Sequence, residues 1–412
     1  MNKWYNKLQY GAMLLMAAAM PVSWRVGLYV ALLLAMVSIV KMIAQRKVGN
    51  PALDWRLRIP FFAMLAYWLV ITISVFYSAD SITGWLVVMR KAVLLIFPLC
   101  FLLTDTSYLD GRYLRALGYV LLLSVCAVFL YFSVRAGVSM AEGATWAQVT
   151  GSCTFDPRHH AYTALYMAIA IVFVLHEMNR RWQEMKVWYQ VILALLMVVC
   201  MFYLMIVNSR AGILTLWIIV VSYVVYMALF CKQWMLALMV TLLFAGVQVG
   251  VKTLTPQNVN RVESSASEIS SGEDARVKIY KSAIHVATEG NPVVGYGAGD
   301  YFQSFADKST VENNGYVAKN IHNQYLETFL SVGIIGLIPF LIWLFYPLYL
   351  ACRRKSMNLF LLLMLEGVVL FNLLFESMLE RQMGLLFIGY LLSVIVLILS
   401  LEENKFGRVQ KS

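Results

Sequence analysis

Residues 318–337 read AKNIHNQYLETFLSVGIIGL, and they settle what kind of fold the chain builds. His322, Asn323, Gln324 and Glu327 stand where a long polar segment gives way to an apolar helix that runs through Gly333 and Gly336 to Pro339. A titratable imidazole is costly deep in a bilayer and cheap at its edge, so this pattern predicts a helix whose polar head lies at a membrane surface and whose tail lies in lipid. Small residues at 333 and 336 would let another helix approach closely. One interfacial histidine is more often a solvated helix start than a working group. The rest of the chain gives this one its interest.

The chain has 412 residues, 61% of them hydrophobic and 13% charged, with a mean hydropathy of +0.72. A soluble domain has no use for so much apolar surface, whereas an all-α polytopic membrane protein does. At roughly 20 apolar residues per span, twelve runs qualify as transmembrane helices: about 8–22, 25–43, 59–77, 85–103, 113–134, 160–176, 187–207, 211–230, 234–252, 323–350, 357–376 and 384–401. The chain therefore divides into helices 1–9 over residues 1–252, a large outer loop over 253–322, and helices 10–12 with a tail over 323–412. The basic, apolar N-terminal stretch resembles a signal peptide, but it runs almost directly into a second apolar segment and is expected to stay as the first helix.

The net charge of +11 sits in short inter-helix loops, which is a topology signal rather than a nucleic-acid footprint. With the N-terminus inside, inner segments hold nineteen Lys and Arg, among them Lys3, Lys7, Arg46, Arg180, Arg181, Arg353 and Arg354. The short outer loops keep five: Arg25, Arg135, Arg158, Arg210 and Arg381. Both termini are thus expected in the cytoplasm and the 253–322 loop outside. That loop opens with a Ser/Glu-rich strip and continues as ARVKIYKSAIHVATEG, whose apolar spacing predicts an amphipathic helix ending at Gly290-Asn291-Pro292. The GYGAGDYF run at 295–302 lacks the strand, helix and acidic partner of a dinucleotide loop, so its glycines read as tight-turn residues. The six cysteines show no CxxC or metal spacing, and Cys153 is placed alone in an outer loop.

Charges at the membrane edge carry the chemistry. Arg210 lies in NSRAG between two apolar helices, Arg276 heads the outer amphipathic helix, and Arg90 and Lys91 fall near the outer end of the fourth helix. Each alone would ordinarily snorkel to lipid phosphate. As a set around His322 they suit a pyrophosphate, because guanidinium holds phosphate oxygens in a bidentate fork. His159 and His160 read as a wet loop pair, and Glu366 is deep enough that it must face protein or be protonated. No acidic pair or His cluster has metal spacing, so no metal and no cofactor are expected.

Three pieces in order, NSRAGILTL, then ARVKIYKSAIHVATEGNPVVGYGAGDYF, then NIHNQYLETFLSVGIIGL, resemble the bacterial O-antigen ligase and O-antigen polymerase superfamily. The resemblance is close over about residues 200–345. It implies a GT-C-like membrane glycosyltransferase acting at the periplasmic face of the inner membrane, metal-independent and inverting. The donor would be an undecaprenyl pyrophosphate-linked glycan, the acceptor lipid A-core for a ligase, and the only other partners membrane lipids. The family's functional positions map onto Arg210, Arg276 and His322, with His322 as general base. Arg90, Lys91, Asn323 and Glu327 are the expected further contacts to pyrophosphate or glycan, and Asn323 or Glu327 the expected support of the imidazole. A ligase is the favoured reading. A polymerase would take a second lipid-linked glycan as acceptor, and a transporter would need a polar path near the midplane.

Overall fold

The computed structural model describes residues 2–145, 148, 160–207, 209–254, 275–312 and 320–409. The Ser/Glu-rich strip, Cys153 and His159 lie outside them. The described residues form helices α1 (Asn2–Val22), α2 (Trp24–Gln45), α3 (Trp55–Ser74), α4 (Ser81–Lys91), α5 (Ile96–Leu102), α6 (Gly111–Ala141), α7 (His160–Arg181) and α8 (Val187–Ile206). They continue with α9 (Arg210–Val225), α10 (Trp234–Leu254), α11 (Ala275–Glu289), α12 (Tyr301–Glu312), α13 (Gln324–Arg353), α14 (Leu359–Phe375) and α15 (Gln382–Val409). Among the described residues ten spans are long and apolar enough to cross a membrane, with α4 and α5 joined into one, so this is a polytopic helical membrane protein. Each of the twelve apolar runs is helical. The two that fall short are α1, whose first turns carry Asn2, Lys3, Asn6, Lys7 and Gln9, and α14, which has 17 residues.

Helix starts follow side-chain caps visible in the sequence. Asp54 accepts from the Leu57 amide, Asp80 from Thr83, Asp110 from Arg112 and Tyr113, Ser209 from Gly212, and Asn323 from Tyr325 and Leu326. Each cap satisfies backbone donors that a helix start leaves open. Small residues then set the helix crossings. A Cβ on Gly212 would stand 2.5 Å from that of Ala164, so the first turns of α9 and α7 touch closely. Farther along the same helices, Asn372 of α14 donates to the Thr215 hydroxyl of α9 at 3.0 Å. Glu366 is fully buried within the bundle, facing protein as its position requires.

The feature that positions the site is a break in α13. Gly333 has φ +58° and ψ −161°, and a Cβ there would lie 2.3 Å from the Val293 carbonyl oxygen. The break frees backbone groups in the middle of an apolar run, where none can be left open. The glycine-rich loop satisfies them. Tyr296 and Gly297 amides donate to the Leu330 and Ser331 carbonyls at 2.9 and 2.8 Å, and the Ile334 and Ile335 amides donate to Pro292 and Val293 at 3.0 and 3.2 Å. Gly295, with φ +69°, lets the loop pass the helix backbone. So the run is not only a tight turn: it docks into the broken helix. Gly333 admits this loop, while Gly336 faces Val70 of α3.

The loop also ties α13 to the α3–α4 turn. Ala298 and Gly299 amides donate to Ser74 and Ser78 hydroxyls, and the Asp300 carboxylate accepts the Ala79 and Asp80 amides at 2.6 and 2.8 Å. The expected amphipathic helix is α11. Its Ile279, Ala283 and Val286 pack with Tyr301, Phe305, Ile321 and Leu330 into a small second core beneath α11 and α12. The start of α13 is thereby fixed from three directions.

Candidate functional site

His322 stands just before α13 in the left-handed region, at φ +56°. Its amide donates to Asn320 Oδ1 at 3.0 Å, and the Tyr280 hydroxyl of α11 lies 2.9 Å from its carbonyl and 3.0 Å from that of Leu374. Its ring Nδ1 is 3.1 Å from Glu376 Oε2, at the end of α14, and Asn320 Nδ2 donates to the other oxygen of that carboxylate at 3.1 Å. An ionised carboxylate only accepts, so opposite it Nδ1 is the donating nitrogen, and in the neutral ring Nε2 then keeps its lone pair. The imidazole is one-third exposed and Glu376 is more enclosed. The carboxylate holds the imidazole in one orientation and leaves part of the ring open to solvent.

The two arginines come to the same end of the bundle. Arg276 is one helical turn before Tyr280 and so shares its face of α11. Arg210 begins α9 little more than a turn from Thr215, whose partner Asn372 is one turn before Glu376. His160 starts α7, whose Ala164 touches Gly212. Among the described residues no group of three or more His, Cys, Asp or Glu side chains is placed to hold a metal ion.

The remaining expected contacts have other duties. Asn323 caps α13. Glu327 accepts the Tyr301 hydroxyl at 2.9 Å, and burial, with Glu327 beside it, pushes that phenol well above its ordinary pKa. The imidazole's support is therefore Glu376, not Asn323 or Glu327. Because α4 begins at Ser81, Arg90 and Lys91 occupy its last turn, farther from the outer end than the apolar run suggests. Lys91 is 3% exposed, and its Nζ meets Glu380 Oε1 at 2.5 Å. Arg90 donates to the Glu380 carbonyl at 3.2 Å, and Gln324 binds the carboxylate and the Leu379 amide. Burial works against the Glu380 charge, but Lys91, then Arg90 and Gln324, outweigh it and hold the carboxyl below its usual range.

Removing one member of such a buried pair strands the other. Lys91→Met is expected to lower unfolding stability by about 3 kcal/mol, read as a fall in the thermal midpoint in detergent. The sign of the pH dependence follows from the depressed carboxyl. Its stabilisation is present above the unfolded value of about 4.3 and is lost as the pH falls through the lower folded value. Lys91→Met should remove that acid-side loss; an unchanged midpoint and acid profile would refute the bracing role.

Beside these groups lies a cavity of about 580 Å³, bounded by α4, the loop before α12, the start of α13 and the turn between α14 and α15. Asn320 belongs both to its wall and to the His322–Glu376 cluster. Glu376, Asn320 and Glu380 are the site residues that sequence reasoning passed over. The available signal was the polar break Glu376-Ser377 through Arg381 between two apolar runs, on the same side of the bundle as His322.

Residues 195–341 match the family described as O-antigen ligase. That match supports a relation to the O-antigen ligase and polymerase superfamily. No curated protein matches the chain. The O-antigen ligase domain spans Arg210, Arg276 and His322, while Glu376 and Glu380 lie beyond it. The match suggests a glycosyltransferase-like membrane enzyme; His322 lies in the matched domain, and its carboxylate partner Glu376 is supplied by the helix pair that follows.

Proposed function

We propose that the protein is an O-antigen ligase, moving a glycan from undecaprenyl pyrophosphate to a sugar hydroxyl of lipid A-core at the periplasmic face of the inner membrane. The observation that carries the reading is the His322–Glu376 pair, 3.1 Å apart, at the same end of the bundle as Arg210 and Arg276, within a chain matching O-antigen ligase. The Lys and Arg bias of the loops supports a periplasmic position for that end.

In the proposed reaction the acceptor hydroxyl gives its proton to His322 Nε2 while its oxygen bonds to the anomeric carbon. The anomeric carbon–oxygen bond to pyrophosphate breaks, and undecaprenyl pyrophosphate leaves with the electron pair. One displacement inverts the configuration. Glu376 stabilises the imidazolium, and the guanidiniums of Arg210 and Arg276 stabilise the charge growing on the leaving group.

Deleting the gene and resolving surface lipopolysaccharide on a gel tests this. A ligase deletion leaves bare lipid A-core while lipid-linked polymer accumulates. A core still capped by one repeat unit would make the enzyme a polymerase, and an unaltered ladder would overturn both.

A further inference from the structure

We infer that the cavity between α4, α12 and the α14–α15 turn binds the terminal sugars of the acceptor, apart from the helices that carry Arg210 and Arg276. The inference rests on the glycan-transfer reading and adds to it where the second substrate sits. The first ground is position. Asn320 lines the cavity and holds the carboxylate that holds the imidazole. No residue of α9 or α11, the helices that carry Arg210 and Arg276, contributes to the cavity's described wall. Through Asn320 the cavity wall adjoins the His322–Glu376 pair, and it does so without the helices that carry the two arginines.

The second ground is chemistry. Arg90, with a side chain 41% exposed, and Asn320 offer donors. Glu380 Oε2 and Gln382 Oε1 are buried acceptors with no hydrogen-bond donor, although Arg90 stands 4.0 Å from the former. Trp24 and Phe302 add apolar ring faces to the same wall. Aromatic surface with a few fixed polar groups, in a space of about 580 Å³, is the make-up of a small-ligand site. It fits a disaccharide and would leave a prenyl chain facing Arg90, Glu327 and Glu380.

The probe is the core oligosaccharide freed of lipid A, titrated into full-length protein in nanodiscs and compared with Phe302→Ala and Trp24→Ala. Each variant is expected to weaken binding, and to raise the acceptor KM in transfer assays, about tenfold, the loss of one aromatic contact, with the donor KM within twofold. Phe302→Tyr keeps the ring face and should restore binding if Phe302→Ala fails to fold. Unchanged acceptor binding in variants that still transfer glycan would overturn the inference, as would a rise in the donor KM instead. A wild-type protein that transfers no glycan would overturn the ligase reading itself, a result distinct from either.

Discussion

His322→Asn is expected to cut glycan transfer by roughly 10²- to 10⁴-fold, the usual contribution of a positioned general base, while leaving the protein folded and inserted. Asparagine is the informative replacement because residue 322 sits at φ +56°, a conformation that Asn adopts more easily than most residues. The local framework does not use the imidazole. Tyr280 reaches the backbone carbonyl of residue 322, the residue's amide meets Asn320, and Asn323 caps α13. What Asn removes is the ring, and with it the Nε2 lone pair. His322→Ala should lose as much activity and, being less tolerant of positive φ, should also lose about 1 kcal/mol of stability. The measurement is transfer of lipid-linked glycan to lipid A-core by purified protein, with the thermal midpoint alongside. Near-normal transfer by a folded His322→Asn protein would end the base assignment.

How far the site could be read from the chain depends on how far apart its parts lie. Apolar runs and caps are local, so Asp54, Asp110, Ser209 and Asn323 mark helix starts without any knowledge of the fold. Arg210, Arg276 and His322 were legible because they sit inside one matched segment with recognisable neighbours. Glu376 was not. It lies 54 residues beyond His322, and it meets the imidazole only because α14 returns alongside α13. Lys91 misled for the same reason: its partner Glu380 is 289 residues away, so a buried ion pair looked like an interfacial cation. The glycine-rich loop was half legible. Its need for positive φ shows in the sequence, but the helix break it fills lies inside FLSVGIIGL, an apolar stretch whose one polar residue, Ser331, does not announce it.

That distant carboxylate carries the other large effect. Glu376→Gln changes one oxygen to an amide nitrogen, so size and place are nearly kept while the hydrogen-bonding sense becomes ambiguous. Asn320 Nδ2 donates to Glu376 Oε1 in the native protein, and that bond fixes which way the new amide faces. Its carbonyl oxygen stays on Asn320, and its NH₂ turns to His322 Nδ1, 3.1 Å away in the native pair. An NH₂ facing Nδ1 requires the ring to accept there, which moves the imidazole proton to Nε2. The nitrogen that should take the acceptor's proton then already carries one. Loss of an aligned carboxylate behind a catalytic histidine costs up to about 10⁴-fold where it has been isolated, and roughly 10²- to 10⁴-fold is expected here. It should fall on kcat, because neither substrate touches Glu376 in the proposed mechanism, and both KM values should stay within about twofold. Glu376→Asp, which keeps the charge on a shorter arm, should fall between the two. A carboxylate that only braced the end of α14 would instead show its loss in the thermal midpoint and spare kcat, so the two readouts together separate positioning of the base from support of the fold.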